Sequence, residues 1–144
     1  MDAPDGRILG LDLGSKRIGL ALSDPELPIA LPEGTLERKG LARDLAALKK
    51  LVQERDVRRI VVGLPIHMNG SKGPEAIAAE TFARQLAEAT GLPVDLQDER
   101  WTTLEAHRAL RATGHDARAR RAHVDAVAAS LLLRVYLERR RAGA

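Results

Sequence analysis

Two short apolar runs near the start of the chain predict a β-hairpin. They span residues 8–12 and 18–22, and Gly and Ser at 14–15 interrupt them. Apolar runs bounded by turn residues are typical of strands buried on both faces of a sheet. The spacing places Lys16 and Arg17 at or near the turn of the hairpin.

The rest of the chain predicts an alternation of strands and helices. Proline and apolar spacing indicate an edge strand over 31–36, then a helix over 40–56 and a strand over 59–63. A helix over 74–89, stopped by Gly91, and a strand over 93–98 follow. The last two predicted elements are a helix from the Thr102/Glu105 capping box to near Gly114 and a helix over 123–140. This β-β-β-α-β-α-β-α-α order favours an α/β fold, a mixed sheet with helices on both faces. With no internal repeat or linker, we expect a single domain over residues 1–144.

The composition excludes several classes of site. Aromatic residues make up 2% of the chain, so binding of nucleic acid on a platform of stacked aromatic rings is not expected. The absence of cysteine excludes a disulfide, a thiolate metal site and a Cys nucleophile. No apolar run approaches the ~20 residues of a membrane span and no signal peptide is seen, so we expect a cytoplasmic protein with no membrane partner.

The charge is distributed unevenly. Residues 1–99 contain 13 Lys and Arg against 16 Asp and Glu, whereas residues 100–144 contain 10 Arg against 4 Asp and Glu. Arginine pairs bidentately with phosphate, so the basic C-terminal third suggests a polyanionic partner. A solvated helix face and tail would give the same composition.

Four acidic residues stand in apolar surroundings. Asp12 ends the first apolar run, Asp98 and Glu99 end the strand that starts at residue 93, and Asp125 lies near the start of the last predicted helix. Ionised carboxylates are rarely buried unless they are paired or bind a metal. A side-chain cap of the 14–15 turn is the structural alternative for Asp12.

A mixed sheet can bring the ends of these elements together. Clustered carboxylates raise one another's pKa values unless a cation compensates. Oxygen ligands without cysteine select Mg²⁺ or Mn²⁺ over zinc, and pairs of such ions activate water and stabilise the leaving oxygen in phosphodiester cleavage.

Four motifs resemble those of a known family. ILGLDLGSKRIGLALSD at 8–24 is similar to the opening motif of the RuvC-like, RNase H-fold nucleases, and more so to that of the YqgF/RuvX family of Holliday-junction resolvases or pre-16S rRNA nucleases. GLPIHMNGSKG at 63–73 resembles that family's glycine-rich loop, and DERWTT at 98–103 and VDAVAASLLL at 124–133 its later motifs. The resemblance covers most of the chain and implies an RNase H-like fold with a five-stranded mixed sheet in the order 3-2-1-4-5.

The resemblance also implies a ligand set. Asp12 matches the first-strand metal ligand, Asp125 matches the helix ligand, and the middle ligand falls on Glu99 or Asp98. Glu99 is preferred because related nucleases have a glutamate at this strand end, and alternation puts Asp98 on the other side. RuvC proper has a further aspartate where this chain has Ala122. The neighbouring His123 is expected to cap the helix rather than donate a proton.

Six residues are candidate substrate contacts. They lie at the hairpin turn, in the glycine-rich loop and beside the middle ligand: Lys16, Arg17, Asn69, Lys72, Arg100 and Trp101. Glycines and a lysine before a helix can hold a phosphate, although the loop is not a Walker motif and also fits an ordinary strand-to-helix connection. Trp101 fits a hydrophobic staple as well as a substrate contact.

The expected function is therefore that of a Mg²⁺- or Mn²⁺-dependent nuclease. The sequence does not choose between structured RNA and branched DNA; the preferred substrate is RNA, in processing of the 5′ end of pre-16S rRNA during ribosome biogenesis. Resolution of branched DNA (Holliday junctions) is the first alternative, and a non-catalytic nucleic-acid-binding domain is the second. An ATPase of the actin and sugar-kinase fold is disfavoured, since it needs two domains that close over a nucleotide. The protein is expected to be a monomer or a homodimer.

Overall fold

The computed structural model describes residues 6–27, 29–100 and 117–143. Over this part of the chain it contains eight elements: β1 (Arg7–Leu13), β2 (Arg17–Ser23), β3 (Ala30–Glu37), α1 (Leu41–Glu54), β4 (Val57–Leu64), α2 (Pro74–Thr90), β5 (Val94–Asp98) and α3 (Ala117–Gly143). None of these helices combines the length and apolar character needed to cross a membrane.

The strands form one mixed sheet in the order β3-β2-β1-β4-β5. β2 pairs antiparallel with both β1 and β3, whereas β4 pairs parallel with both β1 and β5. β1 therefore lies at the centre of the sheet and β3 at an edge. The predicted strand order and mixed character are both confirmed.

The predicted hairpin joins β1 and β2. Its register pairs Leu13 with Ile18 and Asp12 with Gly19. The turn is closed by the main chain, because the Gly14 N–H donates to the Arg17 carbonyl oxygen at 2.8 Å.

Side-chain alternation along the strands separates two cores. On one face of the sheet, Leu9 and Leu11 of β1 are fully buried together with apolar residues of α1 and α2. On the other face lies a smaller core under α3, built from Ala21, Val61, Ala129, Leu133 and Tyr136. Helices on both faces were predicted, and they are confirmed. Asp12 alternates with Leu11 and so lies on the face that α3 covers.

Small residues let α3 lie very close to the sheet. A Cβ added at Gly10 would be 3.1 Å from the Leu133 Cβ and 3.3 Å from the Ala129 carbonyl oxygen. At Gly19 a Cβ would overlap the Asp125 carbonyl group. The two strand glycines therefore set the height of the helix above β1 and β2.

The last helix differs from its predicted bounds. It begins at Ala117, six residues before the predicted start at 123, and ends at Gly143. Asp125 is therefore inside the helix and not near its start, and His123 is not at a capping position, so both of these predictions were wrong. The predicted helix from Thr102 to near Gly114 falls outside the described residues.

Candidate active site

Asp12 and Glu99 meet on the α3 face of the sheet. Glu99 directly follows β5, and its N–H donates to the Leu64 carbonyl oxygen of β4 at 3.3 Å, which continues the pairing of the two strands. The Glu99 carboxyl donates a hydrogen bond to the Asp12 carboxylate. Both side chains are half-buried. A Cβ at Gly63 would overlap the Glu99 carboxylate, so this glycine provides the space in which the pair forms.

The two carboxyls strongly affect each other's ionisation. Burial, the neighbouring Asp12 charge and the hydrogen bond to Asp12 together raise the pKa of Glu99 to about 9, with a smaller contribution from the Asp98 charge. Burial also raises the pKa of Asp12, against the lowering effect of the Glu99 hydrogen bond. The pair therefore holds a proton at neutral pH in the absence of a cation.

Asp125 joins this pair from the helix. The main-chain carbonyl group of Asp125 lies against Gly19 of β2, and Gly19 pairs with Asp12 of β1. Asp125 therefore lies over the hairpin at the level of Asp12. The negative charge of Asp125 contributes to the raised pKa of Asp12. Its carboxylate oxygen accepts a hydrogen bond from Arg17 Nε at 3.1 Å, with 21% and 26% of the two side chains exposed. Arg17, predicted as a substrate contact, thus has an internal acidic partner.

Asp98 lies on the opposite side of the strand end. Its carboxylate accepts hydrogen bonds from Arg100 Nε at 2.8 Å and from the Arg100 main-chain N–H at 3.0 Å. Slight burial favours the neutral acid, but the bonds to Arg100 outweigh it and lower the pKa of Asp98. The structure thus brings Glu99, and not Asp98, to Asp12. Arg100 is held by Asp98 and also reaches the Met68 carbonyl oxygen at 3.5 Å.

Two of the remaining predicted substrate contacts, Lys72 and Asn69, have partners of their own. Lys72 forms an ion pair with Glu80 at 2.8 Å. Asn69 accepts hydrogen bonds from the Ser71 N–H at 2.9 Å and the Ser71 hydroxyl at 2.7 Å, so it stabilises the glycine-rich loop itself. Lys16 is exposed at the hairpin turn. Trp101 lies outside the described residues.

Sequence reasoning missed the glycines that build the site. Gly19 and Gly63 interrupt apolar strands, where glycine weakens a strand and often marks a close approach of another group. That signal was present in the runs IGLAL and VVGLP. It did not reveal which group approaches, because Asp125 and Glu99 are distant from these glycines in sequence.

The donor set fits a hard divalent cation. Asp12, Glu99 and Asp125 offer only oxygen atoms, which Mg²⁺ and Mn²⁺ prefer. As placed here, no three acidic, His or Cys side chains of the described residues are grouped tightly enough to enclose an ion. The shared proton of Glu99 and the Arg17 bond of Asp125 supply the compensating positive charge. A cation bound by these carboxylates would take over that role.

The Glu99 carboxyl makes the stability of the metal-free protein depend on pH. Its pKa is about 9 in the folded protein against 4.5 for an ordinary glutamate. Between these values the folded protein keeps a proton that the unfolded chain has released, so stability falls as pH rises. We expect the free energy of unfolding, measured with urea in EDTA, to fall steadily from about pH 5 to pH 9. Glu99→Gln should remove most of that slope.

A matched control is Glu54→Gln, which replaces an exposed glutamate at the end of α1. It should keep the wild-type slope. If the free energy of unfolding of Glu99→Gln fell with pH as steeply as that of the wild type, the raised pKa of Glu99 would be contradicted.

The chain is similar to proteins of one family over nearly its whole length. The family model described as "RuvX: Holliday junction resolvase" matches residues 6–139. A protein of Moorella thermoacetica named "Putative pre-16S rRNA nuclease" is 51% identical over 133 residues, which cover 92% of this chain and 95% of the relative. A protein of the same name from Chloroflexus aurantiacus is 44% identical over 137 residues, covering 95% and 90%.

Two solved structures share the fold. RuvC of T. thermophilus, in complex with a Holliday junction substrate, has a TM-score of 0.61 at 15% identity and covers 96% of this chain and 98% of its own. The Fowlpox virus resolvase in complex with Holliday junction DNA has a TM-score of 0.55 at 11% identity, covering 92% and 97%. The likeness to RuvC, together with the strand order, confirms the predicted RNase H-like fold.

Proposed function

Because the chain belongs to the RuvX family, we propose that it is a divalent-metal-dependent nuclease acting as a single domain. The observation that carries the proposal is the meeting of Asp12 and Glu99 on the sheet face that Asp125 overlies. Half-buried carboxyls that share a proton cost stability, and such strongly shifted groups are common in catalytic sites. A purely structural domain would not need them.

Three carboxylates are assigned to the metal ions. Asp12, Glu99 and Asp125 would hold them, with Asp12 central because it lies on the middle strand of the sheet. Bound Mg²⁺ or Mn²⁺, as a pair in the two-metal scheme, supplies an activated water and stabilises the leaving oxygen. Asp98 acts indirectly by orienting Arg100. Arg17 orients Asp125, and it would be released to contact a substrate phosphate if a bound cation replaced it as the partner of Asp125.

We infer that the substrate is RNA. The support is the name of the relatives at 44–51% identity, which refers to a pre-16S rRNA nuclease. The corresponding role is processing of the 5′ end of the rRNA precursor in ribosome biogenesis, which we expect in the cytoplasm. Cleavage of branched DNA is the second candidate, since the family description refers to Holliday junction resolvases.

Cleavage assays with and without metal test the proposal. Purified protein is incubated with labelled rRNA precursor, single-stranded RNA and a four-way DNA junction, each with Mg²⁺, Mn²⁺ or EDTA. We expect cleavage of the precursor with either ion and none in EDTA, because the metal is required for the chemistry. Cleavage that survives exhaustive chelation would contradict metal dependence. Binding without cleavage under every condition would favour the non-catalytic alternative, and cleavage of the junction alone would favour the resolvase.

A further inference from the structure

A second polar feature lies on the α3 face of the sheet, beside the carboxylates. It is a groove of about 370 Å³ between β5 and the C-terminal half of α3, lined by Asp95, Leu96, Gln97, Tyr136, Arg139 and Arg140. Apart from Leu96 and the Tyr136 ring, the lining is charged or polar. This composition suits an ionic ligand better than an apolar one.

The single acidic residue of the groove is already neutralised. The Asp95 carboxylate forms an ion pair with Arg59 Nη1 at 3.0 Å and accepts a hydrogen bond from the Tyr136 hydroxyl. Arg59 lies on β4, Asp95 on β5 and Tyr136 on the helix, so these bonds also tie α3 to β4 and β5. The lining arginines therefore determine the charge of the groove.

Each lining arginine donates a hydrogen bond to an uncharged side chain of the groove. Arg139 Nη1 donates to the Gln97 amide oxygen at 2.9 Å, and Gln97 is only 5% exposed. Arg140 Nη1 donates to the Tyr136 hydroxyl at 3.2 Å, with its guanidinium carbon 5.7 Å from the centre of the ring. The Arg139 charge also contributes to the lowered pKa of Asp98, which is itself bonded to Arg100. Among the described side chains in and next to the groove, the arginines at 59, 100, 139 and 140 outnumber the carboxylates at 95 and 98, and this net positive charge suits an anionic ligand.

The groove lies directly beside the carboxylate site. Gln97 and Glu99 are two residues apart and point to the same face of the sheet, so their main chains are about 7 Å apart. On the premise that the carboxylates cleave a phosphodiester, a strand bound there must continue past Glu99. We propose that this groove binds a backbone phosphate of the substrate strand close to the cleaved bond, through Arg139 and Arg140.

Such a site recognises the phosphodiester and not the base or the sugar. Contacts to phosphate position a strand without reading its sequence. RNA and single-stranded DNA offer the same group, so both should use the groove equally. The groove would then set the position of the strand, and the carboxylates would supply the chemistry.

Binding measurements test the groove independently of cleavage. The probes are a fluorescein-labelled 12-nucleotide single-stranded RNA and the DNA of the same sequence, and anisotropy is measured in EDTA over a range of salt concentrations. The variants are Arg139→Gln with Arg140→Gln, and the same pair changed to Lys. The matched control is Arg84→Gln, an exposed arginine of α2 on the opposite face of the sheet.

The double Gln variant should bind both probes roughly tenfold more weakly at low salt. Its slope of log affinity against log salt should be shallower by about 1.4, since each phosphate contact to a single strand contributes about 0.7. The double Lys variant, which keeps the charges, should retain most of the slope, and Arg84→Gln should behave as wild type. If the Gln pair fails to fold in urea-unfolding controls, the single variants, each with half the loss of slope, give the same test.

If the double Gln variant kept the wild-type affinity and the wild-type slope of log affinity against log salt, phosphate binding in the groove would be contradicted. The nuclease proposal would remain intact. A loss confined to the RNA probe would overturn phosphate-only recognition. If the wild type cleaves nothing with metal but the Gln pair still loses binding to both probes, the groove stands and the nuclease proposal fails.

Discussion

Replacing Asp12 by asparagine is expected to lower cleavage by orders of magnitude and to leave the fold intact. Asn keeps the shape and a hydrogen-bond acceptor for Glu99 but removes the charge that holds a cation. The metal supplies both the attacking water and stabilisation of the leaving oxygen, so losing it removes most of the rate. Stability without metal should stay the same or rise slightly, because one member of a repelling group of carboxyls has gone. Single-turnover cleavage and urea unfolding measure the two effects.

A second replacement separates this role from that of a turn cap. If Asp12 merely capped the turn, Asn would preserve activity and Asp12→Ala would cost about 1 kcal/mol of stability. The structure favours the site role, since the turn is closed by the Gly14 N–H and the Arg17 carbonyl oxygen.

The matched control is Asp24→Asn. Asp24 is a true turn cap that accepts hydrogen bonds from the N–H groups of Glu26 and Leu27 at 2.8 and 3.0 Å. This variant should cleave at the wild-type rate. Near-normal turnover by Asp12→Asn, in an assay where the wild type cleaves, would contradict the catalytic assignment.

Gly19→Ala is expected to cause the largest loss of stability. The new Cβ would overlap the main-chain carbonyl group of Asp125, which cannot rotate away as a side-chain end can, so α3 must move off the sheet. Overpacking of this kind costs about 1–3 kcal/mol, and we expect the upper part of that range. Cleavage should fall as well, because the movement shifts Asp125 away from Asp12.

Gly10→Ala provides a graded comparison on the neighbouring strand. Its Cβ would be 3.1 Å from the Leu133 Cβ and 3.3 Å from the Ala129 carbonyl oxygen, which smaller shifts can accommodate. The loss of unfolding free energy should therefore be about 1 kcal/mol or less. Equal losses for the two variants, measured by urea unfolding, would contradict the close fit of α3 at Gly19.

The strands and the sides they present were readable from the sequence. A period of two along residues 8–12 puts Asp12 on the face opposite Leu11, and the same period puts Glu99 opposite Asp98. The hairpin, the edge strand and the stop of α2 at Gly91, which has φ 72°, followed from turn and cap residues. Local rules suffice here because each depends on neighbours along the chain.

The start of α3 was not readable in this way. Residues 117–122 read ARARRA and contain no large apolar side chain, so they lack the apolar stripe from which the helix was predicted. Alanine and arginine are nevertheless strong helix formers, and the helix extends through them. The start of the helix was predicted from the pattern of buried apolar residues, whereas the intrinsic helix propensity of alanine and arginine extends the helix further.

By itself the sequence determined which carboxylates stand in apolar strands and which side of the strand each faces. Only the tertiary structure decided that Glu99 donates to Asp12 and that Arg17 pairs with Asp125. Those contacts require β5 to lie two strands from β1 and α3 to lie against Gly19. The strand order and the distance of α3 from the sheet result from packing between segments far apart in the chain. The local pattern of apolar residues therefore does not predict them.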